Sequence, residues 1–157
     1  MSDTDIVESL KRDLGAKALE IVNPDRRRIF LKVAPADLVA AATLLRDKHD
    51  CAHLSTISGV DRGETFEFLY HFAAPTVVIS VRTEVPRPEP RLPSICAVIP
   101  GAVLYERELQ DMFGVVVAGI PDGRRLVLPD DWPDGQFPLR KDWTHVRSEE
   151  VIPGGKS

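Results

Sequence analysis

Cysteine is scarce in this sequence, and long apolar runs are missing from it. Only Cys51 and Cys96 are present among 157 residues, too few for a disulfide framework or a four-cysteine iron–sulfur cluster. No run approaches the roughly 18 apolar residues that span a bilayer. The acidic start MSDTDIVESL has neither the apolar core of a signal peptide nor the arginines of a transit peptide. We therefore expect two reduced thiols, no direct membrane span, and a chain that is cytoplasmic or peripheral on a membrane complex.

An excess of basic residues is also missing. The formal net charge of −4 and the pI near 5.6 work against attraction to a phosphate backbone, which needs a clustered basic face. The glycines never assemble into the GxGxxG or GxxxxGKS/T patterns of nucleotide-binding loops. We therefore expect neither nucleic acid nor a bound nucleotide among the ligands.

The composition is otherwise that of a globular protein. Apolar residues make up 43% of the chain and charged residues 28%, which fits one hydrophobic core at this length. The 13 prolines exceed the usual share, and many of them lie in residues 85–93 and 121–138. We therefore expect one core, with two irregular segments outside its regular elements.

Apolar spacing predicts three amphipathic helices. In the first, Asp5 and Glu8 resemble a capping box, and Gly15 ends the helix. In the third, Arg107 and Asp111 are four residues apart and can pair on the polar side. The three helices are predicted over DIVESLKRDLG (5–15), ADLVAAATLLRDKHD (36–50) and AVLYERELQDMFG (102–114).

Four short segments rich in apolar and β-branched residues are predicted as strands. The segment VPRPEPRLP (85–93) is instead predicted as a stiff connector, because its four prolines exclude a helix or a central strand. Helices and strands in this order predict an α+β fold, with a mixed, largely antiparallel sheet and the helices packed on one face. The strands are RRRIFLKVA (26–34), CAHLSTISGV (51–60), ETFEFLYHF (64–72) and TVVISVRTEV (76–85).

The segment HDCAH is the first candidate for chemistry. On a strand, His49, Cys51 and His53 would all point the same way, so they could bind zinc or form a cysteine–histidine nucleophile. A structural zinc site needs a fourth ligand, however, and no helix N-terminus is at hand to stabilise a thiolate. A helix end running into a strand, with Cys51 as a small buried residue, is the simpler interpretation. A zinc-binding or cysteine-dependent enzyme remains the alternative from a different functional class.

Three carboxylates on the third predicted helix are a second candidate. Glu106, Glu108 and Asp111 could be imagined as an acid–base pair, but Arg107 lies among them and helical surfaces commonly carry such charges. We therefore expect these carboxylates to be solvated or paired with a partner, and no catalytic residue is predicted.

The stretch PDGRRLVLPDDWPDGQFPLRKDW (121–143) has neither the alternation of a strand nor the spacing of a helix. Its arginines and tryptophans are the residues most enriched where binding energy concentrates at interfaces. Proline lowers the entropy that an extended segment loses on ordering. The stretch is therefore predicted to be a docking arm. The alternative is a loop folded back over its own domain, in which Trp132 and Trp143 cover the core.

These residues resemble a known family. YERELQDMFGV followed by RRLVLPDDWPDGQFPLRKDW is similar to the signature of the thirty-kilodalton subunit of respiratory complex I, also called the C subunit of NADH-quinone oxidoreductase. The resemblance implies an α+β domain (1–117) and an extended C-terminal docking arm (118–157). It implies a subunit of the peripheral arm that binds no cofactor itself, within a complex that uses NADH, flavin, iron–sulfur clusters and quinone.

The resemblance also implies partners for the arm. The arm would dock on the forty-nine-kilodalton subunit, which is related to the nickel–iron hydrogenase large subunit, near the neighbouring cluster-bearing subunits. The parent complex would lie on the cytoplasmic side of the inner membrane. Arg140 is predicted to make a bidentate contact with a partner's carboxylate. The partner contacts implied by position are Glu106, Arg107, Glu108, Asp111, Phe113, Gly114, Arg124, Arg125, Pro129, Trp132, Pro138, Leu139, Arg140, Lys141 and Asp142.

Two positions depart from the family pattern. Val103 and Leu104 stand where Asn-Trp is frequent, and Gly119-Ile120-Pro121 stands where Gly-His-Pro is common. The related subunit of membrane-bound hydrogenases diverges at such positions. The sequence thus predicts a non-catalytic subunit that supports electron transfer from NADH to quinone, and it keeps the corresponding subunit of an energy-converting hydrogenase as an alternative.

Overall fold

Three helices pack against one face of a five-stranded sheet in this computed structural model, which describes residues 2–144. The helices are α1 (Asp3–Leu14), α2 (Leu38–Lys48) and α3 (Ala102–Phe113). The strands of the large sheet are β1 (Glu20–Asp25), β2 (Arg28–Lys32), β3 (His53–Asp61), β4 (Thr65–Ala73) and β5 (Val78–Pro86). A second sheet contains β6 (Arg91–Pro93) and β7 (Val116–Ala118).

The strand order in the large sheet is β1-β2-β5-β4-β3. β2 runs parallel to β5, with Arg28 opposite Val78 and Lys32 opposite Arg82. The other three pairings are antiparallel. The predicted α+β fold with a mixed, largely antiparallel sheet is therefore confirmed.

Alternating residues of the strands form the core face of the sheet. Because side chains alternate along a strand, Phe66, Phe68 and Tyr70 of β4 point to the same side, and all three are fully buried. Leu10 of α1 and Leu45 of α2 are buried in the same hydrophobic cluster. Burial of this apolar surface is the main stabilisation of the fold.

The N-cap of α1 lies three residues earlier than the sequence predicts. Ser2 is the N-cap: the Ser2 hydroxyl accepts the Asp5 N–H at 3.2 Å, and the Asp5 carboxylate accepts the Ser2 N–H at 2.9 Å. Asp5 is thus the closing residue of the capping box rather than its first. Gly15 ends the helix as predicted, with a φ of 53°.

Two proline-containing segments depart from the prediction. β1 was not predicted, because it contains Pro24 and is mostly exposed; it tolerates proline because it lies at the edge of the sheet. The predicted connector 85–93 is wrong at both ends. β5 continues to Pro86, and Arg91–Pro93 pairs with β7 in the small parallel sheet.

The end of α3 is fixed on the sheet. Phe113 meets the rings of Phe66 and Phe68 edge-on, with centroids 5.7 and 5.6 Å away. Gly114 then ends the helix in the left-handed conformation, at φ 70°, and its N–H bonds the Gln110 carbonyl. Within residues 2–144, no helix is both long and apolar enough to cross a membrane.

Candidate protein-docking surface

Residues 119–144, which we call the C-terminal segment, contain no helix or strand. They are the described part of the predicted docking arm, and residues 145–157 lie outside the described residues. The predicted boundary between domain and arm falls within β7, which ends at Ala118. Charged side chains of α3 and of the strand ends hold the backbone of the C-terminal segment.

Asp111 is the central anchor. It is buried on α3, and its Oδ2 atom accepts the backbone N–H groups of Leu126, Val127 and Leu128 at 2.9, 2.8 and 3.1 Å. Three successive amides that converge on one carboxylate oxygen make charge-assisted hydrogen bonds, which are stronger than neutral ones. The prediction of a solvated Asp111 is therefore wrong, because the chain's own backbone satisfies this buried carboxylate.

Arg107 binds the same stretch from the other side. Its Nε donates to the Arg124 carbonyl at 2.7 Å and another guanidinium nitrogen donates to the Arg125 carbonyl at 2.8 Å. It also lies 3.4 Å from a carboxylate oxygen of Asp122. The predicted pair of Arg107 with Asp111 does not form, because residues 122–128 occupy both side chains.

Glu106 points to the other side of α3 and is fully buried. It accepts hydrogen bonds from the Ser94 hydroxyl at 2.7 Å, the Ile95 N–H at 2.7 Å and the Cys96 thiol at 3.1 Å. It therefore holds the loop after β6 against α3, and the prediction of a solvated Glu106 is wrong. Glu108, by contrast, is half-buried.

Asp61, at the end of β3, anchors the far end of the C-terminal segment. Its carboxylate accepts the Lys141 N–H at 2.8 Å, an Arg87 guanidinium N–H at 2.7 Å and the Gly63 N–H at 2.8 Å. Burial alone would raise the pKa of Asp61, but these hydrogen bonds outweigh it and lower the pKa to about 2. Arg87 also bonds Asp142 at 2.7 Å, which adds a second link.

Arg140 packs inside the chain's own surface. Its Nε donates to the Phe113 carbonyl at 2.8 Å, and its guanidinium carbon lies 5.0 Å from the Phe66 ring centroid and 4.4 Å from that of Phe137. Burial and the neighbouring Arg87 lower the pKa of Arg140. The predicted bidentate contact of Arg140 with a partner's carboxylate stays a prediction, and these internal contacts give Arg140 a second role, which is to hold the C-terminal segment on the end of α3.

Two groups of hydrogen bonds fix the middle of the C-terminal segment. Arg125 donates to the carbonyls of Pro129, Asp130 and Trp132, which closes a loop around its guanidinium. The indole N–H groups of Trp132 and Trp143 both bond Gln136, at 2.9 and 3.0 Å. The C-terminal segment therefore has a defined shape without regular secondary structure.

Its apolar side chains nonetheless face outwards. Leu126, Val127 and Leu139 are 43%, 48% and 53% exposed, although the backbone at each of them is hydrogen-bonded to α3. The alternative prediction, a loop folded back over its own domain, thus describes the backbone of this segment. It does not describe these three apolar side chains, which point to solvent instead of covering the core. A backbone held in place beneath exposed apolar side chains is suited to binding a protein, because little ordering entropy remains to be lost.

Some of the remaining predicted contact residues lie on the exposed outside of this surface, and the others lie beneath it. Arg124, Pro129, Leu139, Lys141 and Asp142 are exposed. The half-buried and buried ones form its support, and they are Phe113, Gly114, Arg125, Trp132, Pro138 and Arg140.

The HDCAH segment does not form a common site. His49 ends α2 and is buried, Cys51 is buried beyond a left-handed Asp50, and His53 is exposed at the start of β3. The three side chains therefore do not share a strand face, and the enzyme alternative built on that geometry is corrected. Burial raises the pKa of the Cys51 thiol to about 11, which disfavours the thiolate. Within residues 2–144 no three His, Cys, Asp or Glu residues come together as a possible metal site.

Sequence reasoning missed three residues of the candidate surface. The sequence carried a signal for Asp61. It is two residues after Gly59 and four after Ile57, so it faces the same inward side of β3. The sequence carried no signal for Arg87 or Phe137. The Phe137 ring lies 2.4 Å from the position that a Cβ on Gly114 would take. Only the folded chain brings Asp61 and Arg87 to the C-terminal segment, and Phe137 of that segment to Gly114.

Comparison with known sequences gives the family context of this surface. The pattern of the family described as respiratory-chain NADH dehydrogenase, 30 kDa subunit, matches residues 31–149. The C subunit of NADH-quinone oxidoreductase from Xanthobacter autotrophicus is 40% identical over 129 residues, which cover 78% of this chain and 61% of that protein. Membrane-bound hydrogenase subunit beta of Pyrococcus furiosus is 32% identical over 135 residues, which cover 83% of this chain and 78% of that protein.

A shorter match is the most identical of these relatives. Formate hydrogenlyase subunit 5 of Escherichia coli is 56% identical over 64 residues, which are 41% of this chain and 11% of that protein. The chain therefore spans a small part of that relative and less than two thirds of the Xanthobacter protein.

Solved structures share the fold. A chain of the membrane-bound sulfane sulfur reductase, an archaeal respiratory membrane complex, superposes with a TM-score of 0.76 at 25% identity, covering 90% of this chain and 85% of that one. The trypsin-resistant fragment of Nqo5 superposes with a TM-score of 0.63 at 23% identity, covering 76% of this chain and 98% of that one. The Nqo5 likeness supports the α+β fold alone.

Proposed function

We propose that this chain, which belongs to the family of the 30 kDa subunit of respiratory-chain NADH dehydrogenase, is a non-catalytic subunit of a proton-translocating NADH-quinone oxidoreductase. It docks through the C-terminal segment on the forty-nine-kilodalton subunit, beside the cluster-bearing subunits of the peripheral arm. Its contribution to electron transfer from NADH to quinone is to hold those subunits in position. The complex places it at the cytoplasmic side of the membrane.

One observation carries the docking role: Asp111 and Arg107 fix the backbone of residues 124–128 while Leu126 and Val127 remain exposed. An isolated domain gains nothing by fixing a backbone that presents apolar side chains to water. A partner that covers these side chains gains their burial, at roughly 25 cal/mol per Å² of apolar surface before the costs of association. The family membership supports a large redox complex as the source of that partner.

The side-chain chemistry supports a positional role. Burial raises the pKa of both thiols, Cys51 and Cys96, to about 11, so neither is activated as a nucleophile. Glu106, Asp111 and Asp61 are occupied by backbone and side-chain donors of the same chain. None of these carboxylates has the free, cleft-lining position that acid–base catalysis needs.

A second candidate is the corresponding subunit of a membrane-bound, energy-converting nickel–iron hydrogenase. The 56% identity to a formate hydrogenlyase subunit over 64 residues favours it, as does the match that covers 78% of a membrane-bound hydrogenase subunit. The docking surface serves either complex, because the forty-nine-kilodalton subunit and the hydrogenase large subunit are the related partners that the resemblance implies.

The experiment is co-purification from the native membrane of a tagged full chain and of its double variant Leu126→Ser/Val127→Ser. We expect the variant to melt as the parent does, because exposed substitutions usually change stability by less than about 0.5 kcal/mol. We expect the variant to reduce co-purification of the forty-nine-kilodalton or hydrogenase large subunit at least about tenfold, because the complex loses the apolar burial that the two side chains supply.

The matched control is Leu19→Ser, which changes a 60% exposed leucine near the edge of the sheet and should leave co-purification unchanged. Full retention of the large subunit by the double variant would contradict the docking role. Assays of the purified complex then separate the two candidates: oxidation of NADH supports the first, and evolution of hydrogen without NADH oxidation supports the second.

A further inference from the structure

A second surface lies at the other end of the sheet. The turn between β1 and β2 and the start of β5 enclose a groove of about 400 Å³, which we call the arginine groove. Its rim carries Arg26, Arg27 and Arg28, and its lining includes Phe30 and Val78. The C-terminal segment takes no part in it.

The three arginines differ from most other arginines within residues 2–144. Other arginines, such as Arg62 and Arg125, bind carboxylates of the chain, whereas the guanidinium groups of Arg26, Arg27 and Arg28 bind none of the residues described. The nearby acids satisfy backbone groups instead. Asp25 accepts the Arg26 N–H at 2.7 Å, and Asp3 accepts the Arg27 N–H at 2.6 Å. The rim therefore presents exposed positive charge in a chain whose net charge is −4.

The floor of the arginine groove is partly apolar and electrically neutral. Phe30 is half-buried and Val78 is 39% exposed. His71 is held between the hydroxyls of Ser58 and Ser80, at 3.0 and 2.8 Å, and burial lowers the pKa of His71. The positive charge of the groove thus comes from the arginine rim, above a floor that can take an apolar side chain.

Strand geometry separates this groove from the C-terminal segment. Val78 begins β5 opposite Arg28, whereas Arg87, which binds Asp142, directly follows the end of β5 at Pro86. Over the length of β5, a rise of ~3.3 Å per residue puts the two ends about 26 Å apart. A partner in the arginine groove would therefore occupy a different surface from one on the C-terminal segment.

We propose that the arginine groove binds an acidic peptide segment of a partner protein, with carboxylates on the guanidinium groups of Arg26 and Arg28 and an apolar side chain on Phe30 and Val78. Arginine is the residue suited to this contact, because its planar fork matches a carboxylate with two hydrogen bonds. The interaction is independent of which large subunit the C-terminal segment binds.

The arginine groove fits a peptide better than the other anionic partners. Juxtamembrane sites for anionic lipid usually cluster four to eight basic residues, and a duplex needs a broad basic face. The groove offers three arginines beside Asp25, together with a concave apolar floor that a flat headgroup surface cannot fill. Charge complementarity and shape both favour an extended acidic segment.

The test is zero-length cross-linking of the full chain in its native assembly. Arg26→Lys and Arg28→Lys keep the positive charge and introduce an amine, which a carbodiimide joins directly to a contacting carboxylate. Arg91→Lys is the matched control, since Arg91 is also exposed and also forms no ion pair within residues 2–144. Denaturing purification and mass spectrometry then identify the peptides joined to each lysine.

We expect the lysines at positions 26 and 28 to link to Asp or Glu residues in one segment of one other protein, and the lysine at position 91 not to do so. We also expect Arg26→Glu/Arg28→Glu to reduce retention of that protein at least about tenfold, because like charges replace paired ones. Cross-links no different from the Arg91→Lys control would overturn the proposal. Binding to phosphatidylserine vesicles that Arg26→Glu abolishes, without a protein cross-link, would replace the peptide by a membrane surface.

Discussion

Asp111 accepts the backbone N–H of Val127 at 2.8 Å, while the Val127 side chain remains 48% exposed. The same residue is therefore fixed through its backbone and free through its side chain. This separation lets a segment without regular secondary structure present a defined apolar surface. Substitution of Asp111 can therefore change the anchoring of the backbone, whereas substitution of Val127 can change the docking surface.

The first prediction concerns the anchor. Asp111→Asn removes the charge from three hydrogen bonds, each of which is worth about 1.5–3 kcal/mol when the acceptor is ionised. We expect the amides of Leu126, Val127 and Leu128 to exchange about 10- to 100-fold faster, measured by hydrogen exchange on the full chain. Asp130→Asn is the control, because that exposed carboxylate binds none of the residues 2–144. Unchanged exchange in Asp111→Asn would show that the anchor does not hold the segment.

The second prediction concerns Arg140. Its removal in Arg140→Ala leaves the Phe113 carbonyl without its donor and removes the cation from the Phe66 and Phe137 rings. We expect the free energy of unfolding to fall by about 1–3 kcal/mol, measured by denaturant titration. Arg124→Ala should cost less than about 0.5 kcal/mol, because that arginine is exposed and its ion pair is screened by water. Similar losses for both variants would contradict the internal role of Arg140.

The third prediction compares two glycines. Gly114 and Gly135 both have positive φ, 70° and 76°, so alanine at either costs about 1 kcal/mol of backbone strain. Only at Gly114 does the new Cβ meet the Phe137 ring; nothing lies within 4 Å at Gly135. We expect Gly114→Ala to lower the free energy of unfolding by about 1–3 kcal/mol more than Gly135→Ala. Equal losses in the two denaturation curves would mean that Phe137 does not pack on the end of α3.

The fourth prediction is a pH dependence of stability. Burial lowers the pKa of His49 below its ordinary value of 6.5, with Lys48 and Arg12 adding to the effect and Asp13 opposing it. Both ring nitrogens are buried and have no hydrogen-bond partner within residues 2–144. Below about pH 6.5 the unfolded chain therefore binds a proton that the folded chain resists, and the free energy of unfolding falls as the pH is lowered.

Melting curves between pH 7.5 and pH 5 test this prediction for the parent chain and two variants. His49→Gln should reduce the loss of stability at low pH. Some loss should remain, because burial also lowers the pKa of His71. His53→Gln, at an exposed histidine, is the matched control for the substitution itself. A pH dependence unaltered by His49→Gln would rule out His49 as its source.

The sequence predicted the elements whose signals are local. The apolar spacing of residues 5–15 indicated α1, whose Ile6, Leu10 and Leu14 are buried, and the predicted helix 102–114 ended at Gly114 as α3 does. Both signals depend on residues within a few positions of one another. β1 gave no such signal, because an exposed edge strand that contains Pro24 has neither alternation nor a continuous apolar run.

The candidate surface was predictable in part. Arginine, tryptophan and proline in residues 121–143 pointed to a docking segment, and the resemblance supplied its family. The burial of Glu106 and Asp111 was not predictable, because a carboxylate on a helix has the same local sequence whether it faces water or a distant backbone. The internal contacts of Arg140 were not predictable for the same reason, since the Phe66 ring and the Phe113 carbonyl lie far away in the chain.

By itself, then, the sequence determined the three helices, four of the five strands of the large sheet, the mixed α+β class and the family, because periodicity and motif spacing are properties of neighbouring residues. The tertiary structure decided the parallel pairing of β2 with β5, the isolated charge of the arginine groove and the anchoring of the C-terminal segment. Lys141 bonds Asp61 across 80 residues of chain. Contacts between residues so far apart in the chain depend on how the elements pack, and they cannot be predicted from local sequence patterns.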